Sequence, residues 1–320
     1  MKRSERAVQL HRPFPVICTS ILQDLHPLRI FVAFLLPFCY NDASACRIGI
    51  IFRNERRRTA FMHIMLTNDD GIFAAGIQAL ALELEERGGH RVTIVAPDSE
   101  RSGAGHSFTF LTPLRANRIT LSGLEEVVAY AVNGTPTDCV KVGLGNLAQR
   151  PDCILSGINH GQNLGVDTTY SGTVSAAMEG ALLGVPSMAV SLVGMKSEDF
   201  GPAAWVAREL LPAFFKSGSP LWNVNVPALP RQNLRGVRFT PLAHQIYDGR
   251  YIEREDPHGR KYYWTPPGAT YQCGPKEECD VRWVQDGYVT VTPLLTDFTD
   301  QAALARLQNA EKPRIFGMEG

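Results

Sequence analysis

No two of the seven cysteines in this 320-residue chain are spaced C-x-x-C, and no Cys/His cluster occurs, which excludes the usual zinc knuckle and the dithiol redox centre. Cys273 and Cys279 lie six apart around Gly274-Pro275, a spacing read here as neither a metal site nor a disulfide. Cys139 and Cys153 are expected as small core residues. A membrane span is also missing: RIFVAFLLPFCY, residues 29–40, falls short of the roughly 20 apolar residues a bilayer requires and is broken by Pro37. A secretory leader is a poor match, because that run begins far behind any compact basic start, although Ala43-Ser44-Ala45 could serve as a cleavage site. The chain is therefore expected to be cytoplasmic, without a membrane partner. It has no formal net charge, with 32 basic and 32 acidic residues. That neutrality joins two unlike parts, since residues 1–61 hold ten Lys or Arg against four Asp or Glu and leave the remainder acidic. An acidic body has no clustered cationic footprint for polymeric nucleic acid. Neither a G-x-G-x-x-G after the first strand nor a P-loop is present, so dinucleotide and triphosphate cofactors lack their motifs.

What the chain does have begins at Met62. Residues 1–61 carry Arg56-Arg57-Arg58 and no periodicity that continues beyond them, and they are expected to be a non-native or dispensable extension. From Met62 short apolar runs alternate with helical patterns: HIMLT, then Ala75 to Arg87, RVTIVAP, Thr135 to Leu147, DCILSG, Ser171 to Leu183, and SMAVS. Alternation of this kind predicts an α/β fold with a parallel sheet and crossover helices. The runs are nearly continuous in Val, Ile, Leu and Met, as strands covered on both faces should be. Ligands of such sheets bind beyond the carboxyl ends of the strands, so the loops leaving these strands are the places to look.

The first of those loops is MLTNDDG, residues 65–71, which sets two carboxylates side by side at a strand end. Desolvated together they repel, and unless one takes a proton they need a cation. Asp69 and Asp70, with Ser102 from PDSERSG (residues 97–103) and Asn159 from SGINHG (residues 156–161), supply oxygens suited to magnesium or manganese. Taken alone, Asp-Asp-Gly is an ordinary turn with a helix cap. A second loop, SGINHGQNLG (residues 156–165), leads into YSGTVS (residues 170–175) at a helix start, where backbone N–H groups with Ser171 and Thr173 could cradle a phosphate. Plain helix capping is the alternative there.

TNDDG at 67–71, APDSERSG at 96–103, GTPTDCV at 134–140, SGINHGQNLG at 156–165 and SGTVSAAMEG at 171–180 together resemble the SurE (survival protein E) nucleotidases, in the right order and over nearly all of 62 to about 300. The resemblance implies a Rossmann-like three-layer core at about 62–230 and a C-terminal hairpin and tail at about 231–320. It further implies a homodimer or homotetramer and one divalent ion, Mg2+ or Mn2+, per subunit, acting on nucleoside 5′- and possibly 3′-monophosphates. Matched motif by motif, Asp69, Asp70, Ser102 and Asn159 correspond to metal ligands, with Asp69 and Asp70 also catalytic. Asn133, Gly134, Thr135, Ser107, Ser171, Gly172 and Thr173 correspond to residues around the nucleotide and phosphate. DPHGRKYYWTPPG, residues 256–268, resembles the arm that reaches a neighbouring subunit. Glu278-Cys279-Asp280 stands where the family usually has Gly-Thr-Asp, which puts a substrate contact from that loop in doubt.

In outline, metal-activated water would attack phosphorus, with His106, His160 and Arg101 as further candidates for proton or phosphate contacts. Two other readings remain at this level. An aspartyl-phosphate phosphatase would place its acids as D-x-D, whereas these are adjacent, and a nonenzymatic nucleotide-binding module would keep the same loops for sensing.

Overall fold

A computed structural model describes residues 61–194, 197–246, 251–264, 270–271 and 278–310. The expected N-terminal extension, apart from Phe61, lies outside these residues, as do Cys273 and the end of the expected arm from residue 265. The strands are β1 (His63–Thr67), β2 (Arg91–Pro97), β3 (Ala116–Ile119), β4 (Val128–Val132), β5 (Cys153–His160), β6 (Ser187–Val193), β7 (Leu221–Pro227), β8 (Val237–Phe239), β9 (Gln245–Ile246), β10 (Ile252–Glu255), β11 (Lys261–Trp264), β12 (Thr270–Tyr271) and β13 (Val289–Pro293). The helices are α1 (Ala75–Leu82), α2 (Pro136–Val142), α3 (Gly172–Leu182), α4 (Gly201–Ser217), α5 (Asp280–Gln285) and α6 (Gln301–Gln308). Both α1 and α2 run on through a π-turn, over Glu83–Arg87 and Gly143–Leu147, which accounts for the longer helical patterns in the sequence.

Nine strands form one sheet in the order β3-β4-β2-β1-β5-β6-β7-β13-β8. The six from β4 to β7 are parallel, β3 pairs antiparallel with β4, and β13 pairs antiparallel with β7. Strand order reverses between β1 and β5, which makes their carboxyl ends the topological switch point of a doubly wound sheet. Alternation along β1 assigns the two faces: Ile64 and Leu66 pack with Ile77, Leu80, Leu211 and Phe214 of α1 and α4, whereas Met65 packs with Cys139, Val140 and Ala176 of α2 and α3. Three layers follow directly, and β1 is fully buried along its length.

Four features depart from the sequence pattern or extend it. β3 and β4 lie outside the runs named above, although β4 is the apolar stretch VAYAV, and β13, near residue 290, returns to the sheet between β7 and β8. β5 continues three residues past DCILSG, to His160, carrying Asn159 to the rim as a strand residue. β10 and β11 form the hairpin expected near residue 256, closed by Asp256, whose carboxylate accepts from the His258 and Arg260 backbone N–H groups at 2.8 and 2.9 Å. Cys279 corrects the reading of the cysteines: it is disulfide-bonded, to a partner outside the described residues, whereas Cys139 and Cys153 are free and buried as expected.

A buried acid fastens the amino-terminal rim. The Glu83 side chain, 3% exposed, lies 2.7 Å from Arg87 Nη1 and 2.9 Å from Arg208 Nε, with Arg231 Nη2 at 3.7 Å. It thereby joins the end of α1 to α4 and to the connection between β7 and β8. Removing one member of a buried charge network leaves the others desolvated and uncompensated. Glu83→Gln is predicted to destabilise the protein by about 3 kcal/mol, read as a lower urea midpoint with an unchanged slope.

Candidate active site

The rim of the switch point is built from three loops that are hydrogen-bonded to one another's strands. Ile72 N–H donates to Pro97 O at 2.8 Å and Asp98 N–H to Val132 O at 2.8 Å, so the turn after β1 is tied to β2 and the turn after β2 to β4. Asn68 Nδ2 donates to Gly71 O at 2.8 Å and closes the Asn-Asp-Asp-Gly turn. Gly71 has φ +96°, and a Cβ there would lie 3.2 Å from the Ser99 carbonyl carbon. The turn therefore requires glycine both for its backbone and for the approach of the second loop.

Asp69 points at the start of α3. Its Oδ1 accepts from the Thr173 hydroxyl, and a Cβ on Gly172 would lie 2.8 Å from Asp69 Cβ and 3.0 Å from Oδ2. Glycine at 172 lets the first turn of the helix meet the carboxylate face to face. Ser171 caps α3 by accepting from Val174 N–H at 3.1 Å. Of the two hydroxyls expected to donate to phosphate, that of Thr173 is thus given to Asp69, whereas that of Ser171 serves the helix only as an acceptor. Asp70 turns the other way, and its Oδ2 accepts from His160 N–H at 3.2 Å, which ties it to the end of β5. Burial pushes the Asp69 carboxyl above its ordinary value against the Thr173 hydrogen bond, with Glu100 adding to the rise. Burial, then the charge of Asp69, pushes Asp70 up to about 6. The pair is strained electrostatically in the way adjacent carboxylates predict.

Around this pair Arg101 N–H donates to the Asp69 carbonyl at 2.7 Å, bringing the neighbouring Ser102 to the same rim. Ser102 Oγ donates to Glu100 Oε1 at 2.6 Å, which leaves its lone pairs outward. Asn159 Nδ2 donates to Gly161 O at 3.0 Å, leaving its carboxamide oxygen as the acceptor. Carboxylate, hydroxyl and amide oxygens are the kinds of donor a hard divalent cation takes. Among the described residues no group of three or more His, Cys, Asp or Glu is placed to hold a metal. The neutral oxygens and the substrate would have to complete any coordination, and the desolvated, mutually repelling acids fit such an ion.

The other expected pocket residues gather at the start of α2. Thr135 caps it in a reciprocal box with Asp138, accepting from Asp138 N–H at 3.1 Å while its own N–H donates to Asp138 Oδ2 at 2.9 Å. Thr135 Oγ1 also donates to Ser107 O, Ser107 Oγ donates to Ala104 O, and Asn133 Oδ1 accepts from Arg115 N–H. Gly134 packs against Asp138, where a Cβ would lie 2.8 Å from the carboxylate. The loop that carries Ser107 is tied to the start of α3 by Gly105 N–H, which donates to Tyr170 O at 3.0 Å, beside Ser171. Asp138, missed in the sequence reading, is the hub, for it also takes the Thr109 backbone N–H and hydroxyl. His106 Nε2 is bound to Glu179 Oε2 at 2.9 Å, and the His160 ring packs edge-on against Phe200. Asp280 is fully buried and accepts from Gly165 N–H and Ala243 N–H at 2.8 Å each, so it anchors the end of the glycine-rich loop rather than facing a ligand.

A group whose folded pKa is raised contributes stability that is complete below its unfolded pKa and is lost as pH rises through the folded one. For Asp70 that window runs from its ordinary 3.8 to about 6. In chelator, the protein is predicted to lose on the order of 1–2 kcal/mol through this group between those limits, after allowance for partial solvent screening. Asp70→Asn should flatten that part of the pH dependence of thermal unfolding, and an unchanged slope would overturn the assignment.

A sequence profile described as Survival protein SurE matches residues 64–249. The chain is 46% identical over 250 residues to a protein named 5′-nucleotidase SurE from Desulfitobacterium hafniense, covering 78% of this chain and 97% of that one. A protein of the same name from Synechococcus elongatus is 44% identical over 259 residues, covering 78% and 100%. The crystal structure of a SurE protein from Aquifex aeolicus superimposes with a TM-score of 0.66 at 38% identity, covering 77% of this chain and 98% of that one.

Proposed function

The chain belongs to the survival protein SurE family, and from that premise we propose that it is a metal-dependent phosphomonoesterase hydrolysing nucleoside 5′-monophosphates to nucleoside and phosphate. The observation that carries the reading is the adjacent pair at the switch point, Asp69 buried against the first turn of α3 and Asp70 half-buried against the end of β5. Two acids kept out of water at a ligand-binding rim imply a cation whose own ligand is an anion.

Asp69, Asp70, Ser102 and Asn159 would hold one Mg2+ or Mn2+. When bound, that ion supplies positive charge to the phosphoryl oxygens and acidifies the attacking water. The chain's own residues do the rest. Thr173 fixes the rotamer of Asp69 through its hydroxyl, and His160 N–H fixes that of Asp70. Gly172 keeps the helix start close, so its dipole offsets part of the negative charge. Asp70, the less buried of the two, is the acid able to orient water toward phosphorus, while Asp69 is held through Oδ1 by Thr173. The cap formed by Ser107, Asn133, Gly134 and Thr135 is proposed to face the nucleoside, with 3′-monophosphates as further substrates. No helix among the described residues is long and apolar enough to cross a membrane, which is compatible with the proposed cytoplasmic location.

Asp69→Asn keeps the shape and an acceptor for Thr173 but removes the charge. Phosphate release from a panel of nucleoside monophosphates, with magnesium, manganese or chelator, should fall about 1,000-fold or more in this variant with the fold intact. Near-normal turnover would refute the assignment, and binding of nucleotide without release in the wild type would favour the nonenzymatic module. The β10–β11 hairpin leaves Tyr262, Tyr263 and Trp264 exposed, more aromatic surface than a monomer usually shows. This supports a homodimer or homotetramer, and sedimentation as a monomer at micromolar concentration would overturn it.

A further inference from the structure

Hydrolysis of a phosphate monoester needs positive charge for a dianion, and the three rim loops carry little of it. Across residues 68–74, 98–107 and 157–171 Arg101 is the single Lys or Arg. Its place is fixed at the backbone, where its N–H donates to the Asp69 carbonyl at 2.7 Å. Its side chain is less committed. Nη2 reaches Asp98 Oδ1 only at 3.4 Å, in a pair that is more than a third exposed on both sides, and such a pair holds a guanidinium weakly. Nε is buried and meets no acceptor among the described residues. A buried guanidinium N–H without an acceptor is costly, and such groups in native proteins call for a ligand or an ordered water.

Thr173 Oγ1, an alternative donor for a phosphate, already donates to Asp69, while Ser171 Oγ accepts from Val174 N–H and keeps one uncharged O–H to offer. Lys141, on α2, is paired with Glu179 at 3.1 Å. Resting on the proposed phosphatase reading, we propose that Arg101 is the substrate-binding residue that clamps the phosphoryl group, with Nε–H donating to one of its oxygens. A guanidinium suits this task because its N–H groups lie in one plane and match two oxygens of a phosphate at once. The backbone bond to Asp69 ties the clamp to the acids, so phosphate capture and the carboxylate pair share one rigid support.

Inorganic phosphate, titrated calorimetrically in the presence of Mn2+, is the probe, with Arg101→Met and Arg101→Lys compared with the wild type. Losing one charge-assisted contact predicts phosphate binding weakened about 10-fold or more in Arg101→Met. KM for a nucleoside monophosphate should rise in parallel, while inhibition by the uncharged nucleoside and the affinity for Mn2+ stay within about twofold, a split that a merely structural role would not produce. Arg101→Lys keeps the charge but lacks Nε–H, so it should recover binding only in part. Full recovery in that variant, or phosphate binding by folded Arg101→Met within about twofold of wild type, would overturn the proposal. A wild type that hydrolyses monophosphates while Arg101→Met binds phosphate normally sinks the clamp alone. Phosphate binding that depends on Arg101 without any hydrolysis sinks the phosphatase reading and leaves the anion site standing.

Discussion

Two carboxylates on consecutive residues, both withdrawn from water, are the constraint around which the rim is arranged. Asp69 and Asp70 diverge because a strand ends between buried layers, so one acid turns to α3 and the other to β5. Each is met by a donor placed by a different element, and each remains less acidic than in water. The start of α3 can approach only because residue 172 lacks a side chain. The turn that carries the acids can close only because residue 71 lacks one too. Remove the repulsion by protonation or by a cation and the same geometry becomes comfortable, which is why the site reads as one made for a charged ligand.

The loops differ in how they are held. The loop after β2 is stitched to the acids through backbone groups, by Arg101 N–H and Ile72 N–H, and its side chains remain largely at the surface. The cap around Thr135 is closed on itself through Asp138. The two adjacent carboxylates are therefore set at the strand end, whereas shape is supplied by a collar of hydrogen bonds gathered on Asp138.

Much of this was readable in the chain. HIMLT, RVTIVAP and SMAVS become parallel strands because continuous apolar runs have no other stable place than a sheet covered on both faces. Motifs at 67–71, 156–165 and 171–180 meet at the switch point because the crossover rules leave few alternatives. What escaped notice has more than one cause. β3, ANRI, is a short edge strand with polar residues and a faint pattern, whereas β4, VAYAV, is an apolar run like the others and was legible. Glu83, Asp138, Glu179 and Asp280 look like ordinary surface acids in a sequence, and only tertiary packing reveals that each is buried with two or more donors. The hydroxyls of Ser171 and Thr173 were correctly placed at a helix start, yet their partners depend on rotamers that spacing does not encode. The Cys279 disulfide escaped because the spacing of cysteines along a chain says nothing about where their sulfurs point.

The insertion of β13 between β7 and β8 has a temporal meaning. β8, near residue 238, has β13 as its sheet neighbour, and Asp280 holds Gly165 and Ala243 together. A chain emerging from the ribosome can assemble β1 through β7 in order, but its glycine-rich loop waits for an acid synthesised more than a hundred residues later. The rim is completed late, so a nascent chain carries a scaffold whose ligand loop stays unfastened until Asp280 has been made.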